Sequence, residues 1–178
     1  MPSKGLRLDI GCGATPSGDV NCDLFTEDVG HWTGKTDQKH ALRFKKIPNF
    51  VICDSQYLPF KSASFDFVYC SHVIEHVNNP FLLFRELYRV SQRKIVIKCP
   101  HRLGERMFLP KNPFHKNYFK SSWFINAAKR AGIGNSNLHV YISKYKFVPC
   151  SFFFFSRVPF EITTIIDKTK ESYVEDTE

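Results

Sequence analysis

Two features that would assign this chain to a membrane or to a zinc ribbon are missing from its 178 residues. The most apolar stretch, the phenylalanines at 152–155, is far too short to span a bilayer. The N-terminus lacks a charged-then-apolar signal pattern, so we expect a cytoplasmic protein with no membrane partner. The cysteines form no C-x-x-C pair, and Cys53, Cys70 and Cys99 lie inside apolar runs. They are expected to be small buried side chains in a reducing compartment.

Acidic residues are scarce relative to basic ones, with 17 Asp and Glu against 25 Lys and Arg. The net charge of +8 favours anionic partners such as nucleic acid or a phosphorylated metabolite. The charge is not concentrated in a tail, so solubility explains it equally well. The length fits a single domain over 1–178, and we expect a monomer or a homodimer.

Short apolar runs alternate with helical patterns along the first two thirds of the chain. Strands are predicted at 6–10, 18–25, 50–53, 65–70 and 94–99. Near-continuous apolar runs of this kind suit strands buried in a parallel sheet. One helix is predicted from Asn79, with Phe81, Phe84, Leu87 and Tyr88 on its apolar face, and a second from Ser122 to Ala131.

The segment 138–167 is rich in aromatic and β-branched residues. It predicts two or three antiparallel strands, with turns at Pro149 and Pro159. The whole pattern predicts an α/β fold: a Rossmann-like, mostly parallel sheet with helices on both faces and antiparallel strands at the C-terminus.

Two stretches depart from a regular fold of this type. Only about ten residues separate the first two predicted strands, and a parallel crossover with a full helix needs a dozen or more. The first crossover is therefore expected to be shortened. Residues 26–48 are polar and basic, and predict a mobile insertion that folds over the site. Residues 168–178 are expected to be a frayed tail.

Chemically suggestive residues follow four of the predicted strands, at the edge where α/β sheets bind ligands. A glycine turn, Gly11-Cys12-Gly13, lets a ligand approach the backbone. Asp23 ends the second strand, where a carboxylate can accept hydrogen bonds from two ribose hydroxyls. Asp54 ends the third strand, where a carboxylate can accept from the amine of an adenine. Either acid alone is equally well explained as a turn or a helix cap.

Five short motifs in this order resemble the class I S-adenosylmethionine-dependent methyltransferases of the subgroup called type 11. The motifs are Leu8-Asp9-Ile10-Gly11-Cys12-Gly13, Asn21-Cys22-Asp23-Leu24, Cys53-Asp54 with Leu58-Pro59-Phe60, Ser64-Phe65-Asp66-Phe67-Val68, and Ser71-His72-Val73-Ile74-Glu75-His76. The resemblance covers residues 6–100 and implies a methyltransferase with S-adenosylmethionine as cofactor. It implies that the cofactor is bound by Asp9, Gly11, Cys12, Gly13, Asp23, Leu24, Asp54, Ser55, Ser71 and His72.

Two rival interpretations are open at this point. The run His72–His76 also has the H-x-x-E-H pattern of inverzincin metal sites. It directly follows a strand, Pro80 limits any helix, and zinc would need a third ligand from elsewhere, so we expect no metal. The other rival is a non-catalytic module that binds the cofactor or nucleic acid on the same fold.

Methyl transfer from a sulfonium is mostly a matter of positioning the acceptor. If a base is needed, the candidates are His72 first, then His76, His101 and His115. The segment 101–120 is expected to form a loop at the ligand edge, and it mixes Arg, Lys, His and aromatic residues. This mixture favours an anionic acceptor, either RNA or a small molecule.

Overall fold

A computed structural model of the protein describes residues 5–26, 47–108, 112–146 and 157–169. Within these residues the chain forms one seven-stranded sheet with the order β3-β2-β1-β4-β5-β7-β6. Its strands are β1 (Arg7–Ile10), β2 (Val20–Asp23), β3 (Phe50–Ile52), β4 (Phe65–Ser71), β5 (Ser91–Pro100), β6 (Leu138–Lys146) and β7 (Arg157–Asp167). β1 to β5 are mutually parallel, and β7 is antiparallel to β5 and β6. The predicted fold class is confirmed.

One face of the sheet carries the hydrophobic core. Leu8, Val68, Ile95 and Ile166 lie in register across four neighbouring strands, and all are fully buried. Alternate strand residues point to opposite faces, so the next residues along belong to the other face. One of them, Val96, is only partly buried.

Helix α1 (Pro80–Val90) begins where the sequence places it. The Asn79 side chain accepts a hydrogen bond from the backbone N–H of Leu82, and Pro80 suits the first turn because the N–H it lacks would have no helical partner. The buried residues are Leu83, Phe84, Leu87 and Val90. The buried face of the helix therefore contains Leu83 and Val90 in place of the predicted Phe81 and Tyr88. Phe81 and Tyr88 lie at its margins, where Arg130 and Lys168 cover their rings.

Helix α3 (Ser121–Arg130) lies on the same face of the sheet as α1, because the rings of Trp123 and Phe84 meet edge to face. It also ends close to its predicted limit. Gly132 has φ +73° just beyond the helix, a left-handed conformation that glycine adopts without steric cost. The following N–H of Ile133 donates to the carbonyl of Ala128 and closes the helix end.

The first crossover is short, as predicted. Between Ile10 and Val20 the chain makes only turns, and no helix covers this side of β1 within that stretch. The ends of β1 and β2 are instead joined through the backbone, with the N–H of Gly11 donating to the carbonyl of Cys22.

Three local predictions were wrong. The segment after β5 contains a short helix, α2 (Arg102–Phe108), where a loop was expected. Pro159 lies inside β7 instead of forming a turn. Pro159 is opposite Lys144 of β6, next to a shift in the register of β6 and β7. The part of β7 that pairs with β5 begins at Glu161, so the N–H that Pro159 lacks is not needed for hydrogen bonds to β5. Lys168 is not frayed, because its ammonium donates to the carbonyls of Tyr88 and Ser91.

Several predictions fall outside the described residues. They concern most of the 26–48 insertion, the turn at Pro149, the phenylalanines at 152–155 and the tail from 170 onward. Among the helices that the structure does describe, none has the length and hydrophobicity of a transmembrane segment.

Candidate active site

The glycine turn after β1 is fixed on one side and open on the other. Gly11 and Gly13 have φ values of +65° and +52°, a region that side chains other than glycine rarely adopt. A Cβ at Gly11 would lie 2.1 Å from a methyl carbon of Val73, so no larger residue fits there. A Cβ at Gly13 would meet no atom within 4 Å in the described part of the chain, apart from its chain neighbours. The backbone at Gly13 is therefore accessible to a ligand.

Asp9 stabilises the segment that follows the glycine turn by accepting hydrogen bonds from Ser17. Its side chain is buried, and Oδ2 accepts hydrogen bonds from the backbone N–H and the hydroxyl of Ser17, at 2.8 and 2.9 Å. Burial raises the pKa of the Asp9 carboxyl, and the two hydrogen bonds from Ser17 oppose that rise. Asp9 was predicted to bind the cofactor. The structure places it where it shapes the loop.

Asp23 ends β2 directly beside the glycine turn. Oδ2 accepts from the N–H of Gly13 at 3.0 Å, and Oδ1 accepts from the N–H of Phe25 at 3.2 Å. These bonds fix the carboxylate in orientation. The next residue, Leu24, is 51% exposed, so its side chain is available to contact an aromatic base.

Asp54 follows β3 and lies in a turn that contacts the start of α1 through Gln56. Its Oδ1 accepts from the backbone N–H of Gln56 at 2.8 Å, and the Gln56 amide also contacts both carboxylate oxygens. Gln56 in turn accepts from the N–H of Asn79, the capping residue of α1. Ser55 lies in the same turn and is partly buried.

A clamp between α1 and the segment after Asp54 was not predicted. Arg89 donates to the carbonyls of Phe60 and Leu58, at 2.7 and 3.0 Å, and to the carboxylate of Glu86. Glu86 accepts the N–H of Leu58 and has a lowered pKa, chiefly because Arg89 donates to it. Glu86 and Arg89 are three residues apart on one helix. From the sequence alone, this spacing predicts a surface ion pair and no contact with another segment.

Ser71 and His72 follow at the end of β4, on the other side of β1. His72 has φ +56°, a strained conformation for a non-glycine residue. Its Nδ1 lies 3.3 Å from Glu75, and its Nε2 lies 3.3 Å from Glu161. Glu75 first and Glu161 second raise the pKa of His72 against the opposing effect of burial. These surroundings favour the charged imidazole and make His72 a poor general base.

His101 follows β5 and forms a bridge to Phe119. Burial, and then the charge of Lys120, lower its pKa, which favours the neutral imidazole. Its Nδ1 accepts from the N–H of Leu103, so the neutral ring carries its proton on Nε2. His101 is therefore arranged to donate a hydrogen bond. The Nδ1 of His76 lies 3.1 Å from the carbonyl oxygen of Phe114.

A cavity of about 490 Å³ lies at the opposite edge of the sheet, away from these residues. Its lining includes Arg7 and Lys94, near the beginnings of parallel strands, together with Asp66. Ligands of doubly wound sheets bind at the carboxyl ends of the strands, so we place the site at the glycine turn instead.

The strand order and the site at the carboxyl edge of the sheet define an α/β protein with a mostly parallel sheet, and comparison with known proteins shows what this fold resembles. Residues 8–94, just under half of the chain, match the family described as a methyltransferase domain. No curated protein sequence matches the chain significantly. Solved methyltransferase structures share the fold. The match over residues 8–94 and the shared fold agree with the predicted S-adenosylmethionine-dependent methyltransferase and with its predicted cofactor.

Three solved structures illustrate the similarity. A Thermotoga maritima S-adenosylmethionine-dependent methyltransferase, described as a "possible histamine N-methyltransferase", gives a TM-score of 0.63 at 15% identity, covering 94% of this chain and 84% of that one. An Archaeoglobus fulgidus S-adenosylmethionine-dependent methyltransferase gives 0.63 at 16% identity, with 91% and 85% covered. Phosphoethanolamine N-methyltransferase 2 of Haemonchus contortus, in complex with S-adenosylmethionine, gives 0.58 at 19% identity, with 78% and 35% covered.

The residues at the site edge fit S-adenosylmethionine. The open backbone at Gly13 leaves room for a ligand, the carboxylate of Asp23 can accept from hydroxyls, and the exposed Leu24 offers an apolar contact. The assignment of individual residues to parts of the cofactor stays a prediction, as do the acceptor and the cytoplasmic location.

Proposed function

We propose that this methyltransferase acts on a small acceptor that carries a phosphate or another anionic group. In this proposal the turn Gly11–Gly13 contacts the methionine part of the cofactor. Asp23 holds the ribose, and Leu24 and Asp54, with Ser55 beside it, receive the adenine. Bound S-adenosylmethionine supplies a methyl group already activated by its sulfonium sulfur. The chain's own task is then to hold the acceptor in line with that methyl group.

The observation that carries the anionic acceptor is the group of cations beside His101. Arg102 donates its backbone N–H to the carbonyl of Phe119, which brings it next to Lys120, and both side chains are exposed. Lys120 is also the residue before α3, where the backbone N–H groups of the first turn favour an anion. His101 adds a third donor in the form of its Nε2–H.

The two histidines at this edge, His72 and His101, also indicate which kind of atom receives the methyl group. His72 lies between two carboxylates, and the Nδ1 of His101 is already an acceptor, so neither is well placed to remove a proton. An amine suits this site when it binds as the free base, because it has then lost its proton to water beforehand and leaves as a methylated ammonium ion with no side chain acting as base. The Haemonchus contortus enzyme, whose name specifies phosphoethanolamine, combines an amine with a phosphate. RNA is the alternative, favoured by the overall positive charge.

Labelled-methyl transfer tests this proposal. The full chain is incubated with cell extract and methyl-labelled S-adenosylmethionine, and the small-molecule, RNA and protein pools are then separated. We expect label in the small-molecule pool on an anionic compound, and a change of its charge after phosphatase treatment identifies the anionic group as a phosphate. Label confined to RNA or protein, or on an uncharged small molecule, would contradict the proposal.

Two variants and a matched control then test the cation group. With the identified acceptor, Lys120→Gln and Arg102→Gln are each expected to raise the acceptor KM by roughly tenfold, as one charge-assisted hydrogen bond is worth about 1.5 kcal/mol or more. The control is Lys129→Gln, at the other end of α3 and also exposed, which should leave KM unchanged.

A further inference from the structure

Three side chains that no part of the proposed reaction uses converge beside the end of β4. Glu75 and His76 come from the turn after that strand, and His115 comes from the segment between α2 and α3. One ligand atom from each lies within 4.8 Å of the others. We propose that Glu75, His76 and His115 bind a divalent transition-metal ion such as Zn²⁺ or Mn²⁺.

The state of Glu75 is the first argument. Its side chain is 1% exposed, and no donor in the described part of the chain makes a hydrogen bond to either carboxylate oxygen. The Nδ1 of His72 lies 3.3 Å from Oε1 and supplies a charge partner on that side, while Oε2 has no hydrogen-bond partner among the described residues. Burying a carboxylate without hydrogen bonds is costly, so such groups in proteins are paired or coordinate a metal.

The orientation of both imidazoles is the second argument. The Nδ1 of His76 lies 3.1 Å from the carbonyl oxygen of Phe114, so this nitrogen must be the donor. The Nδ1 of His115 is hydrogen-bonded to the carboxylate of Glu105, a residue that is itself buried. In each neutral ring the lone pair is then on Nε2. Histidine ligands of metals show this arrangement, with one nitrogen bound to the ion and the other donating to a carboxylate or carbonyl.

The two segments are also held together by the backbone. The N–H groups of Lys116 and Asn117 donate to the carbonyl of Glu75, at 2.8 and 3.0 Å. The side-chain amide of Asn117 donates to the carbonyl of Val77 at 2.7 Å. These bonds keep His115 beside Glu75 and His76 before any ion arrives, which lowers the ordering cost of binding.

The donor set indicates the kind of ion. Two imidazole nitrogens and one carboxylate suit Zn²⁺, Mn²⁺ or Fe²⁺, and three protein ligands leave at least one position for water or a substrate oxygen. The H-x-x-E-H pattern suggested His72 with His76, but His72 lies outside the cluster, with Nδ1 3.3 Å from Glu75 and Nε2 3.3 Å from Glu161. The third ligand, His115, lies far along the chain and has no signal in the local sequence.

Metal content is measured on the full chain after chelation and dialysis against ZnCl₂ or MnCl₂. We expect one tightly held ion per chain, and a higher Tm with the ion than without it, because a ligand that binds the folded state stabilises it. His115→Gln and Glu75→Gln should each lose the ion. The control, His139→Gln, replaces a histidine of β6 that lies outside the cluster and should retain it.

Several results would overturn the proposal. One is wild-type protein that holds no stoichiometric ion, and another is ion that His115→Gln holds as well as the wild type. Loading with Co²⁺ supplies a second readout, because its visible spectrum reports nitrogen and oxygen ligands directly. A spectrum that is the same in wild type and His76→Gln excludes the site even where the glutamate variant fails to fold. Binding of S-adenosylhomocysteine, measured separately, shows whether the cofactor site stands independently of the metal.

Discussion

Replacing Asp23 with Asn should weaken cofactor binding without unfolding the protein. The carboxylate already accepts the N–H groups of Gly13 and Phe25. A carboxylate has about four acceptor sites, so it can accept from backbone amides and from ribose hydroxyls at the same time. An asparagine offers a single oxygen and no charge. It keeps the shape of the side chain but makes the ribose compete with the backbone for one acceptor.

The size of the effect follows from the bonds removed. A hydrogen bond to a charged group contributes about 1.5–3 kcal/mol. If the two bonds to the ribose hydroxyls are weakened or lost, the binding free energy falls by about 2–4 kcal/mol. This corresponds to a rise in Kd of roughly 30- to 700-fold. Isothermal titration calorimetry with S-adenosylhomocysteine measures it, and circular dichroism confirms that the variant is folded.

The matched control is Asp19→Asn. Asp19 lies immediately before the first residue of β2, at the end of the strand opposite Asp23. Its Oδ2 accepts a hydrogen bond from the N–H of Arg7 at 2.9 Å. This variant removes the same charge and keeps the same strand, and its Kd should stay within about twofold of the wild type. A folded Asp23→Asn protein that binds with wild-type affinity would refute the ribose assignment. An equal loss in both variants would show that net charge, not the site, controls binding.

Three further predictions concern the support of the site. Phe84→Ala should lower the free energy of unfolding by about 3–5 kcal/mol in urea titrations, since this ring is fully buried, and a loss below about 1 kcal/mol would contradict the assigned core. Arg89→Leu leaves the carbonyls of Leu58 and Phe60 without this donor and should cost about 1–3 kcal/mol, with weaker cofactor binding by calorimetry. Cys12, whose pKa burial raises to about 12, should resist iodoacetamide at pH 8 by mass spectrometry until urea unfolds the chain.

The sequence contains enough local information for the strands and for α1. Asn79 and Pro80 define the helix start through contacts within one turn, and the glycine turn requires backbone angles that glycine supplies. The ends of β2 and β3 follow from the order of apolar runs, which brings Asp23 and Asp54 to one edge. These features depend on neighbours in the chain, so pattern reasoning finds them.

Contacts between distant segments explain what was missed. In α2 the glycine at 104 packs against the backbone of Pro159 and Phe160, so tertiary packing overrides its poor helix propensity. His115 reaches Glu75 only because the backbone of the next two residues pairs with the turn after β4. Neither contact leaves a periodic pattern in the sequence.

A crystal structure with S-adenosylhomocysteine tests the central assignment most directly. The account predicts the ribose hydroxyls within hydrogen-bonding distance of Asp23, the adenine against Leu24 and the homocysteine over Gly13. Electron density for the ligand in the cavity near Arg7 and Asp66, at the other edge of the sheet, would contradict it.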